Sequence, residues 1–239
     1  MTLTAPRPSA QIASPLENAV IAVTGTGRGF GHSIARALGL AGATVMAIDS
    51  NPEAASGTAA ELERLGIQSI PIKGDCSVQL EVSNIFNKIL EIYGSITGLV
   101  HVADGVSTTP FKRLMESEFS EMLSSNAMSS YLMMQALQKR APNAWGTLIL
   151  PPENSQQPQT RALRSYLSGL VGGLSEMGLR CNALVPSRSA GGLEYDARLG
   201  ESALTLALPA ARGITGQTIG VTLPPLPDIK KSIPREFLE

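Results

Sequence analysis

The sequence predicts an α/β fold built on one doubly wound parallel sheet of about seven strands flanked by helices. Three observations carry that expectation. An apolar run from Val20 to Val23 passes through Thr24-Gly25-Thr26-Gly27-Arg28-Gly29-Phe30-Gly31 straight into the helical spacing of Ile34, Ala35, Ala37 and Leu38. Further short apolar runs, of the kind buried on both faces of a parallel sheet, alternate with helix-length amphipathic segments along the chain. The length, 239 residues, suits one ordinary domain with a sizeable core.

The elements follow in order. Thr44 to Ile48 is the second strand, with Asp49 at its C-terminal end. A helix from Pro52 to Leu65 closes at Gly66, and Ile67 to Ile72 is the third strand, followed by Gly74-Asp75-Cys76-Ser77. Val82, Ile85, Phe86, Ile89 and Leu90 line one face of a helix from Val78 to Tyr93, and Gly94 ends it. Gly98 to Val102 is the fourth strand. A long Met-rich helix is expected from Glu116 to Lys139, a fifth strand from Gly146 to Leu150 and a helix from Arg161 to Met177. Leu179 to Leu184 and Thr218 to Thr222 complete the sheet. A single domain therefore covers 18–224. Residues 1–17 form a loose lead-in rich in Ala, Pro and Ser, and 225–239 form a tail too proline-rich for a central strand.

Composition excludes several classes of function. A net charge of -1 with scattered Lys and Arg leaves no basic field for nucleic acid. No apolar run reaches the roughly 20 residues of a membrane helix, and the N-terminus lacks the apolar centre of a secretory signal. Cys76 and Cys181 match no metal-ligand or disulfide pattern, and His32 and His101 are the only histidines, so no metal site is expected. A reducing cytoplasm is the simplest home.

The glycine stretch has a chemical rationale. A dinucleotide pyrophosphate sits on a helix N-terminus only where the backbone approaches without Cβ atoms in the way. Gly25 turns the chain, Gly29 admits the phosphates and Gly31 lets helix and strand pack. The spacing T-G-x-x-x-G-x-G resembles the short-chain dehydrogenase/reductase family. Leu179-Arg180-Cys181-Asn182-Ala183-Leu184-Val185-Pro186-Ser187 is similar to that family's G-I-R-V-N-x-x-x-P-G segment, and Ile214 to Val221 to its I-T-G-Q-x-x-x-V strand. The resemblance covers about residues 18 to 224 and implies a Rossmann-like sheet with a nicotinamide cofactor.

Asp49 lies where an acidic residue takes the adenosine ribose hydroxyls and repels a 2′-phosphate, which favours NAD over NADP; otherwise it caps the helix at Pro52. Arg28 pulls weakly towards a 2′-phosphate, but Asp49 is better placed. The resemblance implies that Asp75 and the backbone N–H of Cys76 touch the adenine ring. Asp75 serves equally as an N-cap near Val78, and both roles can hold together. The cofactor-binding candidates are thus Gly25, Arg28, Gly29, Phe30, Gly31, Asp49, Asp75 and Cys76.

The other half of the expected site departs from the family. Its chemistry needs a Tyr to move the alcohol proton, a Lys four residues later to lower the phenol pKa, and a Ser to orient the carbonyl. None of Tyr93, Tyr131, Tyr166 and Tyr195 has a Lys four residues on. Ungapped alignment back from Gly178 puts Gln156 at the Tyr position, Thr160 at the Lys position and Tyr166 on the inward face of the helix. Pro151-Pro152-Glu153-Asn154-Ser155 replaces the serine pair, with Glu153 at the catalytic position and a shortened loop after it. His101-Val102-Ala103-Asp104 replaces N-N-A-G, and His101 on a strand is read as structural. Ser187 replaces a glycine, and the following segment holds no Thr at the expected place. Asn126 matches an Asn that the family keeps in its long fourth helix.

No residue is therefore assigned a catalytic role. The expectation is a non-catalytic subunit that supports a catalytically complete relative, in a heterotetramer packed through the segments 116–139 and 161–177 with Met122, Leu123, Met128, Leu132, Met133 and Leu137 on the face. This resembles the pairing of a degenerate with an active chain in the dehydrogenase that acts on a hydroxyphenylmethyl-succinyl-CoA thioester in anaerobic toluene breakdown. The alternatives are an NAD-binding regulator and an oxidoreductase with a rearranged site built from Tyr166, Glu153 or His101.

Overall fold

The computed structural model describes residues 14–222; residues 1–13 and the proline-rich tail lie outside that range. The strands are β1 (Val20–Thr24), β2 (Thr44–Asp49), β3 (Ser69–Lys73), β4 (Gly98–Val102), β5 (Trp145–Ile149), β6 (Arg180–Pro186) and β7 (Thr218–Val221). They form one parallel sheet in the order β3-β2-β1-β4-β5-β6-β7. Chain order reverses between β1 and β4, so a crevice opens beyond their carboxyl ends.

The helices are α1 (Gly29–Leu40), α2 (Pro52–Arg64), α3 (Gln79–Tyr93), α4 (Glu116–Met122), α5 (Ser129–Arg140), α6 (Pro158–Glu176) and α7 (Leu193–Ala207). Helices α3, α5 and α6 seal one face around Ile85, Phe86, Met133, Leu148 and Leu167. On the other face α1, α2 and α7 close over Ile21, Val45, Leu38, Leu62 and Leu199. Both faces being covered explains why β1 and β5 are buried at every residue and read as unbroken apolar runs. Ahead of β1, Leu16 is buried and its N–H donates to Ala41 O. No helix among the described residues is long and apolar enough to cross a membrane.

Three elements differ from expectation. The Met-rich helix is interrupted by a π-helical segment, Leu123–Met128, between α4 and α5. Its polar side chains compete for the helix's own carbonyls: Asn126 Nδ2 donates to Met122 O at 2.8 Å, and the Ser125 and Ser129 hydroxyls donate to Glu121 O and Ser125 O. Met122, Leu132, Met133 and Leu137 are consequently core, while Leu123 and Met128 face outward.

In α6 the buried stripe is Leu163, Leu167, Val171 and Leu174, spaced four, four and three. Tyr166 falls off that stripe and is 48% exposed, contrary to the inward position assigned from alignment. Helix α7 was not expected. Its Tyr195, Leu199, Ala203 and Leu206 repeat at helical spacing and are buried, and Gly200 lets it approach α1 so closely that a Cβ there would stand 2.9 Å from Ser33 O. The expected Asn of the sixth strand has a structural role: Asn182 Nδ2 donates to Ile214 O and its Oδ1 accepts from Gln217 N–H, fixing the approach to β7.

Candidate functional site at the carboxyl edge of the sheet

The glycine loop between β1 and α1 turns at Gly25 and Gly29, both in left-handed conformation with φ of 64° and 60°. A Cβ on Gly31 would stand 2.2 Å from Gly25 O and 2.7 Å from Thr24 O, so only glycine lets α1 start against the end of β1. Gly27 is equally confined, 2.5 Å from Ala54 Cβ by the same construction. Phe30 is buried, its ring edge-on to Tyr195 at 6.0 Å, whereas the Arg28 side chain is exposed.

Asp49 reaches this loop from β2. Its Oδ2 accepts from Gly27 N–H and its Oδ1 from Asn51 N–H, each at 3.0 Å. The cap of α2 is Asn51, whose Oδ1 accepts from Glu53 and Ala54 N–H, so Asp49 is free of that duty. Asp75 folds its own turn: its Oδ1 accepts from Ser77 N–H and the Ser77 hydroxyl, and its N–H donates to Glu81. Val78 is the N-cap position of α3, with no side-chain cap. The Cys76 thiol is pushed up to about 12 by burial and by Asp75, Asp49 and Glu81, so it stays protonated at neutral pH.

The half of the crevice beyond β4, β5 and β6 is organised differently. The segment after β6 lies across the glycine loop, with Ala190 Cβ 2.8 Å from the point where a Gly29 side chain would begin. Tyr195 anchors that segment. Its hydroxyl accepts from the Ser187 hydroxyl and Arg188 N–H and donates to Val221 O, while the Arg188 guanidinium stacks 4.6 Å above its ring. Gly191 N–H donates to the Asp196 carboxylate. Asp104, half-buried, has its carboxyl pKa raised by burial against the opposing pull of Arg28, with Asp196 adding repulsion.

His101 is fully enclosed between β1 and α5. Ser129 O–H is committed to Ser125 O, so Ser129 Oγ accepts from His101 Nε2–H at 2.9 Å, and His101 Nδ1 accepts from Thr24 O–H at 2.9 Å. Burial lowers its pKa to about 4, which leaves a neutral ring with both nitrogens satisfied and no route to a substrate. Asn126 Oδ1 accepts from Gly105 N–H at 2.9 Å, tying the π-helical segment to the loop after β4.

The aligned catalytic positions do not converge. Gln156 is exposed and precedes α6, outside the helix. Thr160 sits in the first turn of α6, wholly buried, and its hydroxyl has no partner among the described residues. The β5–α6 loop is stitched to the end of β6 by Glu153 N–H to Pro186 O at 2.7 Å and Asn154 N–H to Ser187 O at 3.2 Å. Glu153 is exposed, Tyr166 lies on the outer surface and His101 is in the core, so these three form no common site. No cluster of metal ligands exists among the described residues.

The family model for short chain dehydrogenases matches residues 19–150, from just before β1 to the end of β5. The chain belongs to the short-chain dehydrogenase family. It is 27% identical over 237 residues to the 7alpha-hydroxysteroid dehydrogenase of Escherichia coli K12, covering 84% of this chain and 91% of that one. A short-chain dehydrogenase/reductase of Pestalotiopsis microspora is 26% identical over 160 residues, a match that spans 66% of this chain and 60% of the relative. Among solved structures, a hydroxysteroid dehydrogenase from Escherichia coli superposes with a TM-score of 0.79 at 23% identity, over 88% of this chain and 97% of that one.

Short-chain dehydrogenases typically use NAD or NADP, and the features of this crevice that suit such a cofactor are the glycine loop and Asp49. Asp49 is held beside the glycine loop with its carboxylate part-exposed, and Gly25 is open to solvent. Against that fit, Asp104, expected beside the adenosine half, adds an acid near Arg28, and Ala190 takes the space against Gly29 where the phosphates would pass. No chemical step through the cofactor follows from this geometry. Sequence reasoning missed Ala190 and Tyr195; the signal that marks them is the helical repeat beginning at Tyr195, which anchors the segment carrying Ala190.

Proposed function

We propose that this short-chain dehydrogenase is the non-catalytic subunit of a heteromeric NAD-dependent alcohol dehydrogenase and supports a catalytically complete family member. The observation that carries the proposal is the pair of aligned catalytic positions: an exposed Gln156 outside the helix and a buried Thr160 within it. Neither side chain transfers a proton near neutral pH, and Thr160 is enclosed away from any substrate. The partner's contact surface is expected where Leu123, Met128, Tyr131 and Tyr166 border a shallow depression of about 340 Å³ and remain exposed. The substrate belongs to the partner's site, with a hydroxyacyl-CoA thioester as the favoured class.

The test is co-expression of this chain with complete family members. Co-purification at fixed stoichiometry, with turnover lost on changing the partner's Tyr but kept on Gln156→Ala here, is the expected result. Turnover that requires Gln156 overturns the proposal. A second reading, an NAD-binding regulator, draws on Asp49 and the open Gly25; absence of NAD binding at millimolar concentration by calorimetry removes it.

A further inference from the structure

The geometry points to a second binding site, at the amino edge of the sheet opposite the glycine loop, for a small anion bearing a carboxylate or phosphate. The starts of β1, β4, β5 and β6 surround a concavity of about 560 Å³ there, lined by Trp145, Arg180 and Arg212 with Glu17, Asn18, Thr97 and Asn143.

Arg180 is fixed before any ligand arrives. Its Nη1 donates to Leu206 O at 2.9 Å and Ala211 O at 3.4 Å, meeting carbonyls in the last turn of α7 and in the 3₁₀ turn after it, and its guanidinium lies 5.5 Å from the centroid of the Trp145 ring. Those bonds use one nitrogen of the fork, leaving the donors on Nε and Nη2 uncommitted to them. Arg212 brings a second guanidinium close enough that its charge, after burial, depresses the Arg180 pKa. Among the described residues the ion pairs are His32–Glu61 and Arg198–Glu201, so Glu17, the carboxylate in the same lining, is ion-paired with neither arginine.

Two like charges held at one concavity repel, and an anion between them relieves the repulsion while accepting charge-assisted hydrogen bonds. The net charge of -1 means that this is a local arrangement and not part of a broad basic surface. The indole is buried, 6% exposed, and forms the base against which Arg180 is held. Its position is set by Gly98, where a Cβ would stand 2.2 Å from the ring. Thr97 keeps its hydroxyl proton available, since its Oγ1 accepts from Val20 N–H. The site shares no residue with the crevice at the other edge and stands whether or not the subunit role does.

Trp145 is the sole tryptophan, so intrinsic fluorescence reports directly on this concavity. The probes are benzoate, phenyl phosphate and inorganic phosphate, titrated into the full chain at constant ionic strength in chloride. Expected is a saturable change with at least one of the three, weakened about tenfold or more in Arg212→Ala and largely kept in Arg212→Lys. Arg212 is exposed, so the variant is expected to fold, and a thermal melt checks that it does. A linear response that chloride reproduces, or an unchanged midpoint in Arg212→Ala, overturns the site.

Discussion

The two ends of the crevice are built differently. Between β1 and β2 Asp49 is hydrogen-bonded into the glycine loop, while beyond β5 and β6 the loops have closed on one another and no Tyr is followed four residues later by a Lys. Packing accounts for the contrast. Gly31 and Gly27 have no room for a side chain whether or not a nucleotide ever binds, so the fold by itself requires glycine at both. A catalytic Tyr, Lys or Ser contributes little to the core and can be lost without unfolding the sheet. A surviving glycine fingerprint is thus evidence for architecture before it is evidence for a cofactor.

The sharpest way to break this comparison is Gly31→Ala. Backbone carbonyls bound the missing space and cannot swing aside, so a loss of about 3 kcal/mol or more is expected, seen as a collapse of the thermal midpoint or of soluble yield. A tolerated Gly31→Ala would mean that the loop is kept for ligand approach instead.

The next effect concerns His101. Its folded pKa of about 4 lies below the ordinary value near 6.5, so the unfolded chain binds the proton first as pH falls. Stability is complete above about pH 6.5 and declines towards pH 4, by at most about 3 kcal/mol. Urea midpoints across that window measure the slope, and His101→Gln is expected to flatten it. Equal slopes in the two proteins would contradict the buried neutral ring.

Asp104→Asn combined with Ala190→Gly removes an acid and a methyl from the cofactor's expected path. NAD affinity measured by calorimetry should rise about tenfold, a change of about 1.4 kcal/mol. The smallest effect is expected at the aligned catalytic position. Gln156→Tyr, on an exposed loop, should shift stability by no more than about 0.5 kcal/mol and create no alcohol oxidation, because no cation four residues on activates the phenol.

Much of this protein was legible in the chain itself. Alternating apolar runs and helical stripes marked all seven strands and most helices, since their periods come from backbone geometry that acts locally. The absence of a Tyr with Lys four residues on, and the acid at the end of β2, were likewise visible as residue types at fixed spacing. Tertiary structure alone decided what depends on contacts between distant segments. It placed Tyr166 outside and His101 between Thr24 and Ser129, made Asn51 rather than Asp49 the cap, and broke the Met-rich helix where polar side chains took its carbonyls. It also laid Ala190 on Gly29 and Arg180 on Trp145, across 161 and 35 residues of sequence, because three-dimensional packing brings together groups whose separation along the chain carries no periodic signal.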